Sequence, residues 1–428
     1  RTSGDISLYN ISVQSSDGTV VFQNNKFTGG TCTVPNLNSG NYTISIKGYT
    51  SDSTRSYLVT QGTNTATVTA GNTSAVSITL KGYAFFINQS DSVFGWAKGD
   101  DSNSGNSPSF PLYNLQSAVE KILEKNDGET EYRIYVAGAL APRNKEELNV
   151  PSTASSRGVG TAEDSVVMAD FTSLKNGNLN VFIEGVGSGA ALNGGRTYGG
   201  TIIAGNSDTS IPGLNLTLKN LSISNDAEAP SINLNGATLN IEGEITVKNP
   251  MTVYGSSETS ETKINAVNED SFIKTEDNTS AVRILTNASL KMNADGKFKL
   301  SVSGDKTICS MPFVLIEGGN LEANNCSFSN RKIESSIDAE YAVCALKSLN
   351  GSVSLENCVI SDCSSYISED FSYMPCATLI YSNNSEITLN NSKINNENKN
   401  ADVKVQGLWI NDKKSSVTLS GAVSGGET

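Results

Sequence analysis

The chain has 428 residues with 31 Lys and Arg, 44 Asp and Glu, no His and a formal net charge of −13. The length suits two or three domains, and the spread-out acidity repels nucleic acid, anionic lipid and polyanionic sugars at long range while keeping the surface soluble. With no imidazole, Ser-His-Asp and Cys-His chemistry, His general bases and His-ligated metals are all excluded. Hydrophobic residues make up 37%, which is low for one thick core. Abundant Gly, Ser, Asn and Thr favour narrow strand layers with many turns. No run of about eighteen apolar residues occurs, so no membrane span is expected. The sequence opens at Arg1 with neither Met nor an export signal and therefore reads as trimmed.

Residues 1–82 carry seven short alternating runs: ISLYNISV, TVVFQ, TCTV, NYTISIK, YLVTQ, NTATVT and AVSITL. Strands at this spacing predict a small β-sandwich. In VPNLNSGNYTISIKGY, Gly40 makes a turn, after which Tyr42, Ile44 and Ile46 share one face. The segment resembles the L-x-x-G-x-Y-x-(Ile/Leu) line of transthyretin-like and Ig-like accessory domains on bacterial exported proteins. That resemblance implies a spacer or stalk.

Residues 83–130 read as a linker and a capping helix. YAFFINQS is a strand, and WAKGDDSNSGNSPSFP is a polar loop. Asp100, Asp101 and Asn103 offer oxygens for part of a calcium loop, although no Glu closes it at EF-hand spacing and an Asx-rich turn uses the same residues. Calcium at this place is the one cofactor considered; otherwise none is expected. From Leu115 to Lys125 the residues Leu115, Ala118, Val119 and Ile122 fall on one helical stripe. Asn114 stands as N-cap, and Asn126-Asp127-Gly128 stops the helix. The order G-D-D-S-N-S-G…P-L-Y-N-L-Q-S-A-V resembles the opening segment of a bacterial β-helix family of unknown function. There, the resemblance implies, an amphipathic helix plugs the N-terminal end of a coil stack, whose strand edges and core need cover.

Residues 131–428 repeat. LEANNCSFSN (321–330), VSLENCVISD (353–362) and ITLNNSKINN (387–396) share one template, and LTLKNLSISN (216–225) is an earlier copy. Leu290, Leu321, Val353, Ile387 and Val417 mark steps of 31, 32, 34 and 30 residues, and a polar turn precedes each later copy. The apolar positions alternate with the period of a strand, and the segments between lack helical spacing. A stack of short parallel strands remains. Asn220, Asn325, Asn357 and Asn391 recur at one corner, where an amide bonds its own turn and stacks on the next coil. The pattern, with its N-C-x-F-x-N line, resembles right-handed parallel β-helices of the pectate-lyase-like class. The predicted fold is thus all-β: a single-stranded right-handed parallel β-helix preceded by a β-sandwich. An excursion between 139 and 178 interrupts the coils, and the end, SVTLSGAVSGGET, lacks a cap, so further chain is expected. Cys326 and Cys358 fall at one template position, Cys344 and Cys376 at another; stacking makes each pair neighbours, as a disulfide or as small buried side chains.

Enzymes of this class, as the resemblance implies, hold calcium with carboxylates and use Arg or Lys as base. The regular coils have no Arg after Arg331, and their Lys residues do not recur beside Asp. A glycosidase needs two carboxylates converging across a bond, whereas Glu269/Asp270, Asp338/Glu340 and Glu369/Asp370 sit in turns. The excursion Ser364–Cys376 is the better ligand candidate. Tyr366, Phe371 and Tyr373 there flank Glu369 and Asp370, a composition that holds sugars or peptides or packs on the stack. The expected function is that of a non-catalytic, exported cell-surface protein, adhesin-like or carbohydrate-binding, whose partner is a glycan or a host-surface ligand and not nucleic acid. The alternative is a polysaccharide lyase or glycoside hydrolase.

Overall fold

The computed structural model describes residues 6–91, 93–128, 130–142, 167–174, 177–194, 200–225, 229–255, 261–276, 278–304, 308–309, 311–335, 342–367, 377–394, 405–410 and 412–425. The chain divides into two compact units. One is Arg1–Gly138 with Asn180–Phe182, and the other is Ala139–Leu179 with Ile183–Thr428.

In the first unit β1 (Leu8–Ser15), β2 (Val20–Phe27), β3 (Gly40–Ser51) and β4 (Ser56–Val68) form one antiparallel sheet in the order β2-β1-β3-β4. The expected seven-strand sandwich is here a four-stranded sheet. The runs YLVTQ and NTATVT merge into β4, while TCTV and AVSITL lie outside any strand. The segment after the last run meets β4 at one antiparallel bridge, Gln61↔Lys81, next to Gly62. Any side chain at Gly62 would collide with the Thr79 carbonyl and the Ile78 side chain, at 2.4 and 2.9 Å from its Cβ. The 78–80 segment therefore lies flat against the sheet.

β5 (Tyr83–Asn88) and β6 (Glu131–Leu140) pair in parallel from Tyr83↔Tyr132 to Asn88↔Ala137. Between them runs α1 (Leu115–Lys125), which buries Leu115, Ala118, Val119 and Ile122, the predicted stripe. Its last turn is fixed to the paired strands: Tyr132 Oη donates to the Lys125 carbonyl at 2.6 Å, and Lys125 Nζ lies 5.8 Å from the Tyr83 ring centroid. Asn114 has extended backbone at the N-cap, but its side chain makes no capping bond. Tyr57 of β4 packs edge-on against Phe86 of β5, Tyr135 of β6 and Trp96, with centroids 4.9 to 5.6 Å apart. The Asp52 carboxylate accepts from Tyr57 Oη and from Trp96 Nε1. The expected division after residue 82 thus runs through the aromatic core of one compact unit.

The second unit is a coil stack. Nine strands follow one another in chain order across a single parallel sheet: Ala169–Asp170, Ile202–Ala204, Ile232–Leu234, Met251–Val253, Val282–Ile284, Val314–Glu317, Ala342–Leu349, Ala377–Asn383 and Val405–Ile410. Strands that neighbour in the sheet lie about one coil apart in sequence, which is the definition of a parallel β-helix. The predicted markers stand in register in the facing wall: Leu290↔Leu321, Leu321↔Val353, Val353↔Ile387 and Ile387↔Val417. Their side chains fill the interior, where Leu290, Leu321, Val353 and Ile387 are 0 to 2% exposed. All pairings of Leu355, to Ala323 and to Leu389, are parallel.

The corners explain the Asn template. Asn220, Asn325, Asn357 and Asn391 have φ between 49° and 52°, and Gly243 and Gly421 stand at equivalent corners with φ of 71° and 67°. Left-handed backbone clashes with a Cβ followed by ordinary side chains and is tolerated best by Gly and Asn. Three template corners donate their N–H to the next coil, Asn325 to Glu356 O, Asn357 to Asn390 O and Asn391 to Ser420 O, at 2.9, 3.0 and 3.1 Å. A second left-handed column, Asn287, Gly318, Asn350 and Asn384, lies in the polar turns that precede the template, and Asn384 Nδ2 donates to Asn350 Oδ1 at 2.7 Å. Asn330 and Asp362, the last template position, form a third.

Candidate functional site

The nine-stranded sheet presents alternate residues inward and outward. Val282, Val314, Leu346 and Ile380 form one buried column, and the offset column reads Thr252, Arg283, Leu315, Lys347, Tyr381, each paired with the next. Register puts Trp409 after Tyr381. Arg283 is exposed, and Leu315 and Lys347 are half-buried. Coils step by about 4.8 Å, so Arg283 and Lys347, two coils apart, lie about 10 Å from one another along the stack.

Neighbouring side chains set the electrostatics of this row. Arg283 Nε meets Glu317 Oε2 at 2.5 Å. Burial pushes the Tyr254 hydroxyl above its ordinary value, and the Arg283 charge partly opposes that shift. Lys347 Nζ lies 5.7 Å from the Tyr381 ring centroid. Tyr381 is only 4% exposed, so it is the floor on which the ammonium rests rather than a stacking surface for a ligand. The groups left facing outward are a guanidinium paired with a carboxylate, an aliphatic step and an ammonium.

The residues singled out from sequence are placed as follows. Tyr366 lies in the strand Val359–Ile367 with its backbone opposite Glu334, and Glu369, Asp370, Phe371 and Tyr373 lie outside the described residues. Ser364–Ile367, expected in an excursion, thus belong to a strand in register with Lys332–Ser335, and the next described strand in sequence is Ala377–Asn383, which carries Tyr381. Asp100, Asp101 and Asn103 are engaged within the loop ahead of α1. Asp100 Oδ1 accepts from Ser102 N, and the Ser102 hydroxyl and N–H hold the Asp100 carboxyl below its usual range. Asp101 accepts from the backbone of Tyr113 and Asn114 and from the Asn114 amide, and Asn103 Nδ2 donates to Pro111 O at 2.9 Å. Among the described residues no three Cys, Asp or Glu side chains gather as a metal site.

Arg331 carries a signal that the sequence did not reveal. It follows the left-handed corner at Asn330, shares the buried face of Ile333 and is only 3% exposed. Its guanidinium donates to the Thr279 and Met311 carbonyls and to Thr275 Oγ1, and lies 4.2 Å from the Phe313 ring centroid. It is an internal clamp across several coils, not a surface base. Cys363 stands opposite it in register, and burial pushes that thiol up to about 12.

No family model matches the chain, and no curated protein does. A solved structure, a family 28 exopolygalacturonase of Yersinia enterocolitica, is similar at 10% identity over 100% of this chain and 95% of that one, with a TM-score of 0.21. A score so low carries no argument about activity; the strand pairings themselves define the parallel β-helix. No helix among the described residues is long and apolar enough to cross a membrane.

Proposed function

We propose that this chain is a non-catalytic, exported surface protein that holds a glycan along the outer face of the nine-stranded sheet. The observation that carries the reading is the register row Arg283–Leu315–Lys347, with Glu317 and Tyr254 beside it and Tyr381 beneath Lys347. The coil step of about 4.8 Å is close to the length of one sugar in an extended chain, so successive coils meet successive residues of the ligand. Two cations separated by an aliphatic side chain suit a ligand with hydroxyl or carboxyl groups and an apolar sugar face. With Arg283 paired to Glu317, the Lys347 ammonium is the charge that locally offsets the repulsion of a chain whose net charge is −13. Tyr366, in the strand Val359–Ile367, and Glu369, Asp370, Phe371 and Tyr373 after it precede the strand Ala377–Asn383 in sequence and are the proposed second contribution to binding.

The test is a glycan array with the purified chain, with and without calcium, repeated for Lys347→Ala and Arg283→Ala. The reading expects saturable glycan signals that fall at least tenfold in either variant. Release of reducing ends or unsaturated products from neutral or acidic polysaccharides would replace it with the polysaccharide lyase or hydrolase alternative.

A further inference from the structure

We propose that Cys326 and Cys358 are an inter-coil redox pair, which a small-molecule disulfide converts to one disulfide inside the stack, fastening two successive coils together. The pair is independent of the ligand face. Ser327↔Val359 and Phe328↔Ile360 fix the register, so Cys326 and Cys358 are direct neighbours on adjacent parallel strands. Adjacent strands lie about 4.8 Å apart, within the Cα separation that a disulfide spans. Both are free thiols, 0 and 1% exposed. Their titrations are linked: interaction with Cys358, and burial, raise the Cys326 thiol, while interaction with Cys326 lowers that of Cys358.

Both sulfurs now serve as donors. Cys326 Sγ approaches Met292 O at 3.8 Å and Cys358 Sγ approaches Ala323 O at 3.4 Å, each in the preceding coil. In the following coil Ser392 Oγ makes the equivalent bond to Leu355 O at 3.2 Å. Hydroxyl therefore meets the structural need of this column, and two sulfurs in succession add a capacity that Ser lacks. Cys358 already points towards the coil of Cys326; Cys326 must turn from the Met292 carbonyl towards Cys358. One Cys loses its proton to solvent, and its thiolate attacks the oxidant's disulfide, releasing one thiolate. The other Cys, deprotonated likewise, displaces the second. Two electrons pass to the oxidant and one S–S bond remains in the protein.

The experiment incubates the reduced, folded chain with oxidised glutathione a few degrees below its melting temperature, where coils open transiently. The chain is then quenched in acid, alkylated in denaturant and mapped by mass spectrometry. The expected result is a Cys326–Cys358 cross-linked peptide, a loss of two alkylatable thiols and a rise in Tm of about 5 °C. The cross-link and the Tm rise should both be absent from the Cys326→Ser/Cys358→Ser variant, which Ser392 suggests will fold. Full alkylation of both residues after oxidation, a link from either to another Cys, or a link that lowers Tm would overturn the proposal.

Discussion

At the Asn357 corner a single dihedral decides which residues are accepted. With φ at 52°, and with Gly at two equivalent corners, Asn357→Ala should cost about 1–2 kcal/mol. Asn357→Gly should cost under about 1 kcal/mol. Urea melts of the two variants check the order; equal losses would mean that the side-chain amide, not the backbone, sets the corner. Asp52 acts differently. Burial opposes its charge, but bonds from Tyr57, Trp96 and Thr54 outweigh that and hold the carboxyl well below the usual carboxylate range. A depressed folded value means that the unfolded chain binds more protons, so this stability is present above about pH 4 and is lost as pH falls below it. Asp52→Asn should flatten the acid limb of a stability–pH curve. Tyr132 has the opposite sign. Burial, with Asp127 nearby, raises its hydroxyl to about 12, so stability is full below pH 10 and falls between about pH 10 and 12. Tyr132→Phe should remove that alkaline loss, as chemical denaturation at pH 9 and pH 11.5 would show.

The helix α1 was the most legible element. Its bounds and its buried stripe follow from spacing alone, because an amphipathic helix needs only its own side chains to declare itself. Ile122 is fully buried, so Ile122→Asp should cost about 2–5 kcal/mol for lost packing and a desolvated charge. A change below about 0.5 kcal/mol in a denaturant melt would show that α1 covers nothing. The strands of the repeats were legible as a column for a similar reason: Leu321, Val353 and Ile387 alternate, and their steps of about thirty residues fix the partner. The small sheet was less so. Periodicity marks YLVTQ and NTATVT as two strands, but nothing in the runs says that β4 continues through Gln61 and Gly62, or that Gly62 leaves room for the 78–80 segment to lie flat. The clamp made by Arg331 was not legible, because its partners are carbonyls of residues 279 and 311, distant in sequence.

At the scale of the whole molecule, two compact units divide near residue 138, and the aromatic cluster of Tyr57, Phe86, Trp96 and Tyr135 lies wholly in the first. A fragment ending at Gly82 would expose Tyr57 and Val59, which are 0 and 2% exposed in the chain. Residues 6–82 alone should therefore melt less cooperatively than residues 6–142, as circular dichroism of the two fragments would show. The proposed glycan strip was hardly legible. Arg283, Leu315, Lys347 and Tyr381 lie some thirty residues apart, share no motif, and become one strip only when register is known. Glu369, Asp370, Phe371 and Tyr373, the residues that composition singled out, lie outside the described residues. The central claim is that this strip holds a glycan and does no chemistry. Titration of the purified chain with the best-bound glycan of an array, against Lys347→Ala under the same conditions, tests it most directly. The account predicts saturable binding weakened at least tenfold by the substitution, with the glycan recovered intact; unchanged affinity in Lys347→Ala, or a cleaved glycan, would contradict it.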